Sequence, residues 1–522
     1  MSKNVLFIAV DHEDGGKGNG MNIYERSYLG YIASMLRTQE HNVMVISNEV
    51  KEVNFEKLNE FDPDIICLPQ VTDTKMIEWA ITKKPRAQIA FSVGTVESKE
   101  DAIEIMQKRN YIDFIPVGGE VFDVWVDIVI ALDKGTSLQN VKGIVYREGQ
   151  EIKITDDSEP FDINKLKYSD LESTNKLAYI ITSLGCIGNC SFCNLKLRHK
   201  KWKAREIEDV INEVLYFVEN GVRRVQFSDL EIEAPDVKLN RLKSLCSALI
   251  DKGSPILYSA NFRPDFSRKA KEAPEIMDLL INSGLYQAFI GVESGCQDDL
   301  NIFNKRCTVE EALETVKLFE CYGVHTEIGF IMFHPFSTLE SLEKNINVLE
   351  ELEMADFDTI SRSYSSFRGA LLSEKAKKEG LQVESGSQYT FKDGKVTPLF
   401  QLMRFHLESL KEPIRKYNKE ASYHGWANFC FNYYQRTRRE DCRELVKGYI
   451  NKLRAVKQSM SIILCNWVRK LLRKAREGFD EEKAMMVSMM MLNEDTITSM
   501  TEILEREKNK MTESVESLLI HS

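Results

Sequence analysis

The chain has 522 residues, more than one hydrophobic core usually supports, so two to four domains are expected. Its 43% hydrophobic and 29% charged residues are ordinary for a soluble protein, and no window approaches the roughly 18 apolar residues of a membrane span. The formal net charge of −11 disfavours a dedicated nucleic-acid binder, whose binding surface should be basic.

The amino terminus and the cysteine content both indicate a cytoplasmic protein. The opening sequence, M-S-K-N-V-L-F-I-A-V, lacks the length and the small-residue cleavage site of a signal peptide. Eleven cysteines, an odd number, favour reduced thiols and metal ligation over disulfides in a chain without an export signal. Most of the cysteines outside the motif described below are expected to be small buried apolar residues. These are Cys67, Cys246, Cys296, Cys307, Cys321, Cys430, Cys442 and Cys465.

Short apolar runs alternate with helical patterns through the first part of the chain. The predicted strands are Asn4–Ile8, Val43–Ser47, Asp64–Leu68, Gln88–Val93 and Phe114–Val117, and the predicted helices include Tyr24–Gln39, Met76–Lys83 and Lys99–Arg109. This alternation predicts a doubly wound parallel sheet, whose ligands bind at the carboxyl ends of the strands. The following segment, Val141–Ile163, has the pattern of a β-hairpin linker that turns at Gly149.

The stretch Thr182–Asn194 reads T-S-L-G-C-I-G-N-C-S-F-C-N and carries the pattern on which the functional prediction depends. Its cysteines, Cys186, Cys190 and Cys193, are spaced C-x3-C-x2-C and follow a predicted buried strand. Three thiolates on one loop suit an iron–sulfur cluster and leave one iron of a cubane open to a small molecule. A Cys3His zinc knuckle with His199, or a disulfide pair plus a free thiol, are the alternatives.

From the cysteines onward, the pattern is that of repeated strand–helix units. Capping boxes at Thr308–Glu311 and Ser337–Glu340 start two of the helices. Six such units in a row predict a partial or full barrel with its chemistry at the carboxyl ends of the strands. The predicted strands are Ala178–Thr182, Val225–Ser228, Ile256–Ala260, Ala288–Val292, Thr326–Ile331 and Asp358–Ser361.

A basic run and the C-terminal region are expected to have structural roles. The basic run Lys196–Arg205 is expected to be a solvated loop. Beyond about Tyr389 the pattern is helical, and the Met-rich segment Ala484–Leu492 is expected to be helix-packing core. The predicted domains are 1–138 (doubly wound), 139–176 (hairpin linker), 177–385 (barrel) and 386–522 (helical).

The cysteine spacing, with Phe192 before the last cysteine, resembles the C-x3-C-x-aromatic-C signature of the radical S-adenosylmethionine (radical SAM) enzymes. The N-terminal segment resembles the cobalamin-binding domain of one large subfamily. The implied fold is α/β: a Rossmann-like cobalamin-type domain, a partial (β/α)6 barrel of radical SAM type and a helical C-terminal domain. Leu29–Arg37, Phe61–Leu68, Val117–Glu120, Val141–Gly149, Phe303–Arg306 and Arg368–Leu381 carry the likeness beyond the cysteines.

The resemblance also implies a set of SAM contacts at the ends of successive barrel strands. Carboxylates in F-S-D-L-E-I-E would accept hydrogen bonds from the methionine ammonium, and the arginine of N-F-R-P-D-F would bind the methionine carboxylate. The Glu-Ser of I-G-V-E-S-G suits ribose hydroxyls. In G-F-I-M-F-H-P-F-S-T an isoleucine would pack on adenine, while Phe333 and Phe336–Ser337 replace the usual Gly and Gly-Glu. The implied SAM contacts are Phe192, Asp229, Glu231, Arg263, Glu293, Ser294 and Ile331.

The cobalt-ligating motif of the subfamily, D-x-H-x-x-G, is half present. His12 begins H-x-x-G, but Val10 stands where an Asp would orient the imidazole; a polar loop residue is the alternative interpretation of His12. Gly94-Thr95 replaces the usual glycine pair after the fourth strand. The cobalamin contacts that the resemblance implies are His12, Thr72, Gly94, Gly118 and Gly119.

The implied activity is reductive cleavage of SAM by a 4Fe–4S cluster to give a 5′-deoxyadenosyl radical, most often for cobalamin-dependent methylation of an unactivated carbon. The partners expected are an electron donor such as flavodoxin or ferredoxin and a small-molecule, lipid or peptide substrate. Three alternatives remain. The first is a cobalamin-independent rearrangement, oxidation or cyclisation, and the second is a non-catalytic iron–sulfur electron carrier. The third is a zinc-stapled RNA-modifying or RNA-binding module.

Overall fold

A computed structural model describes the chain in two compact units. The first unit comprises Met1–Ile187, Asn194–Pro235 and Asp251–Ile256, and the second comprises Gly188–Cys193, Asp236–Ile250 and Leu257–Ser522. The described residues are 2–8, 23–46, 53–69, 74–83, 86–92, 96, 98–170, 177–194, 201–233, 235–236, 238–366, 369–383, 386, 388–478, 485 and 488–520.

The first unit contains a seven-stranded sheet. Its strands are β1 (Asn4–Ile8), β2 (Asn42–Ile46), β3 (Ile65–Leu68), β4 (Gln88–Phe91), β5 (Phe114–Pro116), β6 (Ile144–Glu148) and β7 (Glu151–Ile154). The order is β2-β1-β3-β4-β5-β6-β7, with β1 to β5 parallel and the β6–β7 hairpin antiparallel to β5. The predicted parallel sheet is therefore confirmed, and the predicted hairpin extends it by two strands.

Helices connect the parallel strands of this sheet. They are α1 (Ile23–Thr38), α2 (Phe55–Phe61), α3 (Thr74–Thr82), α4 (Lys99–Lys108) and α5 (Phe122–Lys134). Trp125 of α5 has no exposed surface, and its ring centroid lies 5.0 Å from that of Phe7 and 5.9 Å from that of Phe114. Strands covered by helices on both faces are buried on both faces, which explains the uninterrupted apolar run of β1.

The rest of the first unit belongs to the strand–helix repeat. Its elements are β8 (Leu177–Ile180), β9 (Ser183–Leu184), β10 (Lys203–Ala204), α6 (Ile207–Glu219) and β11 (Arg224–Phe227). β8 and β11 pair in parallel, and β9 and β10 pair antiparallel on either side of the cysteine segment. The apolar stripe of α6 is buried at Val210, Val214 and Phe217, as its 3.6-residue period predicts.

The second unit contains three parallel strands and the helices that alternate with them. The strands are β12 (Leu257–Phe262), β13 (Leu285–Glu293) and β14 (His325–Phe330). The helices are α7 (Asn240–Asp251), α8 (Phe266–Glu272), α9 (Ile276–Ser283), α10 (Gln297–Ile302), α11 (Val309–Cys321), α12 (Leu339–Glu351), α13 (Phe357–Ser361) and α14 (Leu371–Lys378). The capping box at Thr308 and Glu311 is confirmed at the start of α11.

The C-terminal part of the second unit is helical, as predicted. Its helices are α15 (Val396–Ser409), α16 (Lys411–Ala421), α17 (Tyr423–Arg436), α18 (Glu440–Glu477) and α19 (Glu494–Ile520). Helix α18 is held against the barrel helix α12 by an ion pair in which Arg469 Nη1 donates to Glu350 Oε1 at 2.7 Å. Among the described helices, none combines the length and apolarity that crossing a bilayer requires.

Four local predictions differ from the structure. Residues 358–361, predicted as a sixth strand, belong to helix α13, because Asp356 and Thr359 form a capping box that starts a helix there. The capping box predicted at Ser337 lies one residue later, at Thr338 with Ser341. The basic run predicted to be a solvated loop contains β10 and ends in Arg205, which is 1% exposed because it is buried in an ion pair with Glu213. In the Met-rich segment predicted to be core, the described Met489 and Met490 are 58% and 79% exposed.

Seven of the eight cysteines outside the motif are buried, as expected for most of them, and Cys321 is exposed.

Candidate functional site

Within the second unit, the segment Gly188–Cys193 is anchored through its backbone. Ser191 N donates to Phe303 O at 2.8 Å, and Ser191 Oγ donates to Ile302 O at 2.8 Å. On its other side, Ser191 O accepts from Leu372 N at 2.9 Å, at the start of α14. The end of α10 and the start of α14 therefore fix the middle of the loop, while Cys190 and Cys193 beside it remain partly exposed.

Cys186 belongs to the first unit and follows a glycine with a demanding conformation. Gly185 has φ +89°, and a Cβ there would lie 2.7 Å from Lys201 O, so only glycine fits. On the other side of the cysteine, Ile187 N donates to Glu231 Oε1 at 2.6 Å. The backbone on both sides of Cys186 is thus constrained, and its thiol is partly exposed.

The three motif cysteines fit an iron–sulfur cluster by their donor chemistry. None of the three is in a disulfide, and all three are partly exposed, as ligands of an open cluster should be, whereas seven of the eight other cysteines are buried. In the part of the chain that the structure describes, no three His, Cys, Asp or Glu side chains are already grouped as a metal site. The assignment of Cys186, Cys190 and Cys193 therefore rests on spacing, anchoring and exposure.

Asp229 and Glu231 follow β11 and are both buried, at 0% and 1% exposure. Asp229 Oδ1 accepts a hydrogen bond from Thr182 Oγ1 at 2.8 Å and another from the Ser183 hydroxyl. Glu231 accepts from the backbone beside Cys186, as described above. Asp229 therefore holds the segment between β8 and Cys186, and Glu231 holds the residue that follows this cysteine. Their predicted role toward the SAM ammonium did not include this task.

Glu293, at the end of β13, forms an ion pair that the sequence analysis did not predict. Its Oε1 accepts from Lys305 Nζ at 2.9 Å, and both side chains are nearly buried. Glu293 has φ +68° and follows a register shift between β13 and β14; such strain in a non-glycine residue is typical of functional sites. A Cβ at Gly291 would lie 2.8 Å from Glu293 Oε1 and 2.9 Å from Lys305 Nζ, so this glycine makes room for the pair.

Lys305 also faces the cysteine loop. Its Nζ lies 5.8 Å from the ring centroid of Phe192, within the range of a cation–π contact. Burial lowers the pKa of Lys305, but the charges of Glu293 and Cys190 outweigh it and hold the pKa above its ordinary value. Lys305 is therefore a fixed cation beside the loop of Cys190. The only signal for it in the sequence was its place in the F-N-K-R match, to which no role was attached.

Ser294, also predicted as a SAM contact, lies in a buried polar network. Its hydroxyl is within 2.8 Å of Asn345 Oδ1 and 3.0 Å of Asp299 Oδ2. The other oxygen of Asp299 lies 3.1 Å from His334 Nε2, close enough for an ion pair when that imidazole is protonated. The network ties the residue after β13 to α10, α12 and the loop after β14.

The remaining predicted SAM contacts are found at strand ends of the second unit. Arg263, after β12, donates from Nε to Asp265 Oδ1 at 2.9 Å and is mostly buried. Ile331, after β14, donates from its backbone N to Glu293 O at 2.8 Å. Phe192 packs against the same apolar cluster as Ile331. The second unit therefore brings together Phe192, Glu293 and Ile331, three of the residues that the sequence predicted.

Two of the predicted cobalamin contacts can be placed. Gly118 and Gly119 follow β5 at the carboxyl end of the strand, where ligands of parallel sheets bind. Gly118 has φ +108°, and its N donates to Val96 O at 2.9 Å. His12, Thr72 and Gly94 lie outside the described residues.

One family model and several named proteins match this chain. Residues 180–349 match the family model of the Radical SAM superfamily. An uncharacterized methyltransferase of Pyrococcus horikoshii is 26% identical over 413 residues, which are 74% of this chain and 85% of that protein. The anaerobic magnesium-protoporphyrin IX monomethyl ester cyclase of Rubrivivax gelatinosus is 24% identical over 373 residues, which are 66% of this chain and 65% of the cyclase.

A solved structure has the same fold along nearly the whole chain. It is that of the cobalamin-dependent S-adenosylmethionine radical enzyme OxsB with aqua-cobalamin and S-adenosylmethionine bound. The TM-score is 0.64 at 16% sequence identity, with 99% of this chain and 80% of that chain covered. At this identity the likeness establishes the fold.

Proposed function

We propose that this radical SAM protein, which has the fold of the cobalamin-dependent enzymes of its superfamily, methylates an unactivated carbon of its substrate. The chain is an enzyme, and the cofactors of its superfamily are a 4Fe–4S cluster and SAM. The observation that carries the proposal is the motif loop of Cys190 and Cys193, which has a buried Lys305–Glu293 ion pair beside its aromatic residue, Phe192.

In this proposal the motif cysteines hold the cluster, and the strand ends of the second unit hold SAM. When bound, the cluster supplies one electron to SAM, SAM supplies a 5′-deoxyadenosyl radical, and cobalamin supplies the methyl group. The Lys305 ammonium balances part of the negative charge of the thiolates and presents a cation to the methionine carboxylate. Glu293, paired with this ammonium, accepts hydrogen bonds from the ribose hydroxyls, and the Ile331 side chain covers the adenine.

The buried carboxylates of the first unit act on the loop in this proposal. Asp229 and Glu231 keep the backbone before and after Cys186 in one conformation, so that the thiol does not have to be ordered when the cluster binds. Gly118 and Gly119 would lie against cobalamin at the carboxyl end of the first sheet, together with His12, Thr72 and Gly94.

A second candidate function is an oxidation or cyclisation that needs no cobalamin. The cyclase of Rubrivivax gelatinosus supports it, because a protein of similar sequence carries that name. The methyltransferase of Pyrococcus horikoshii, which aligns with more of this chain, favours methyl transfer. A small electron-transfer protein would supply the electron, and the substrate would be a small molecule, lipid or peptide.

The test is anaerobic purification with added cobalamin, followed by measurement of iron, sulfide and cobalt. We expect about four irons and about one cobalt per chain, together with methylated product in the presence of SAM and a reductant. Four irons without cobalt would overturn the methyl-transfer proposal in favour of the cyclisation type. Zinc in place of iron would overturn both.

Cysteine variants test whether the motif binds the cluster. Replacing Cys186, Cys190 and Cys193 together with alanine is expected to abolish both the bound iron and the cleavage of SAM. Cys321→Ala is the matched control, because Cys321 is exposed but lies outside the motif, and it should keep the full iron content. Retention of four irons by the triple variant would exclude the motif as the site.

A further inference from the structure

A cavity of about 420 Å³ lies in the second unit, between the residues that follow α14 and helix α15. No cofactor role described above uses it. Its polar lining includes the side-chain amides of Gln382, Gln388 and Gln401 and the guanidinium of Arg404. Its apolar lining is aromatic and includes Phe391 and Phe400.

The aromatic side of the cavity is rigid. Phe391 and Phe400 are buried, with ring centroids 5.2 Å apart in an edge-to-face arrangement. Phe400 packs in turn on Phe333, at 4.9 Å between ring centroids. Because these rings are held by one another, they present a preformed apolar wall to a flat ligand.

The cavity is attached to the loop that follows β14. Tyr389, one of its lining residues, donates from its hydroxyl to Phe333 O at 2.9 Å. Phe333 is the residue that replaces the glycine usual in this loop of the family, two positions after Ile331. Phe333 therefore supports the cavity wall through its contacts with Tyr389 and Phe400.

Arg404 is the one charged residue in the described lining of the cavity. None of its described lining residues is acidic. The Arg404 guanidinium lies 5.6 Å from the ring centroid of Phe400 and forms no ion pair with a described carboxylate. Arg415, on the next helix, is in contrast paired with Glu412 at 3.0 Å. A guanidinium that no described carboxylate neutralises, set among carboxamides, suits an anion such as a carboxylate or phosphate.

We propose that this cavity binds a small organic anion, with its flat apolar part on Phe391 and Phe400 and its carboxylate or phosphate toward Arg404. The amides of Gln382, Gln388 and Gln401 supply hydrogen bonds to the polar groups of the ligand. None of the described lining residues is a predicted cluster or SAM contact, so the proposal stands whether or not the enzyme transfers a methyl group.

The test measures binding of three probes to the full-length protein with its cluster reconstituted. Benzoate and phenyl phosphate are the two anionic probes, and benzamide is the neutral match of benzoate. We expect at least one anion to bind with a Kd of about 1 mM, the range for so small a ligand, and benzamide to bind more weakly. Ligand-observed NMR at up to about 10 mM probe covers this range.

Variants of the lining decide whether the binding occurs in this cavity. Arg404→Gln should weaken anion binding by about five- to tenfold, Arg404→Lys should keep part of it, and Arg415→Gln should leave it unchanged. Gln401→Glu, one turn before Arg404, should abolish binding because its carboxylate pairs with the guanidinium. Absence of binding by both anions, equal binding of benzamide, or binding that Arg404→Gln and Gln401→Glu do not weaken would each overturn the proposal.

Discussion

Replacement of Arg205 by methionine tests whether a buried ion pair supports the strand that precedes the cysteine motif. Arg205 and Glu213 are both fully buried and paired with each other in the first unit. Arg205 Nη1 also donates to Ile181 O at 2.9 Å, directly after β8, and Nη2 donates to Lys167 O at 2.8 Å. Tyr31, on α1, donates from its hydroxyl to Glu213 Oε2 at 2.8 Å.

The magnitude follows from what the substitution leaves behind. Methionine fills most of the volume of the arginine stem, but the fully buried carboxylate of Glu213 then has no cation beside it. Removing one partner of a buried pair typically lowers the free energy of unfolding by about 3–5 kcal/mol. With an m-value of about 3 kcal/mol/M, the urea midpoint of the first unit should fall by about 1 to 2 M.

The assay is urea unfolding followed by circular dichroism, with two comparison variants. The double variant Arg205→Met with Glu213→Gln removes the orphaned charge and should recover part of the loss. Lys142→Met breaks the exposed pair with Glu159 and should leave the midpoint unchanged. A loss below about 1 kcal/mol in the single variant, or a double variant less stable than the single one, would refute the reasoning.

Three further predictions concern the second unit. In equilibrium binding measurements, Lys305→Met should weaken SAM binding to the reconstituted protein by about tenfold or more, and Lys305→Arg should retain most of the affinity. If Lys305→Met binds SAM as tightly as the unaltered protein, Lys305 is not part of the SAM site. Gly291→Ala should lower the free energy of unfolding by about 1–3 kcal/mol, because its Cβ would lie 2.9 Å from the Lys305 ammonium. Gly394→Ala should leave the free energy of unfolding unchanged, because its Cβ would meet nothing within 4 Å. Burial, and next the nearby charge of His325, hold the pKa of His424 well below its ordinary value. Below about pH 6.5 the unfolded chain then binds a proton that the folded protein does not, so unfolding should become easier by up to about 1.4 kcal/mol per pH unit; His424→Gln should flatten this slope, and an unchanged slope would contradict the assignment.

The elements with a regular period were predictable from the sequence. β1 was predicted with its observed bounds, and α1 within one residue at each end, because an apolar run or a helical stripe reflects burial by the chain's own neighbours. The cysteine motif was equally readable, since C-x3-C-x2-C places three thiols within one loop whatever the surrounding fold. The fold class followed from the alternation of these elements.

The strand predicted at residues 358–361 was wrong because a local apolar pattern does not distinguish a strand from a helix there. Their apolar residues fit a strand as well as a helix, and the choice was made by Asp356 and Thr359, whose side chains bond to each other's backbone N–H groups and start a helix. A short apolar run does not contain this information, because both structures bury it.

Contacts between distant segments were decided by the tertiary structure alone. Lys305 contacts Glu293 because β13 ends in a left-handed residue after a register shift. The propensity of a single residue predicts neither the left-handed backbone nor the register shift. Tyr31, Arg205 and Glu213 come from three separate elements. The sequence alone was enough to predict which cysteines carry the chemistry, because cysteine spacing is local. The fold decided which charges stand beside them, because a buried charge is stable only where folding brings it a partner.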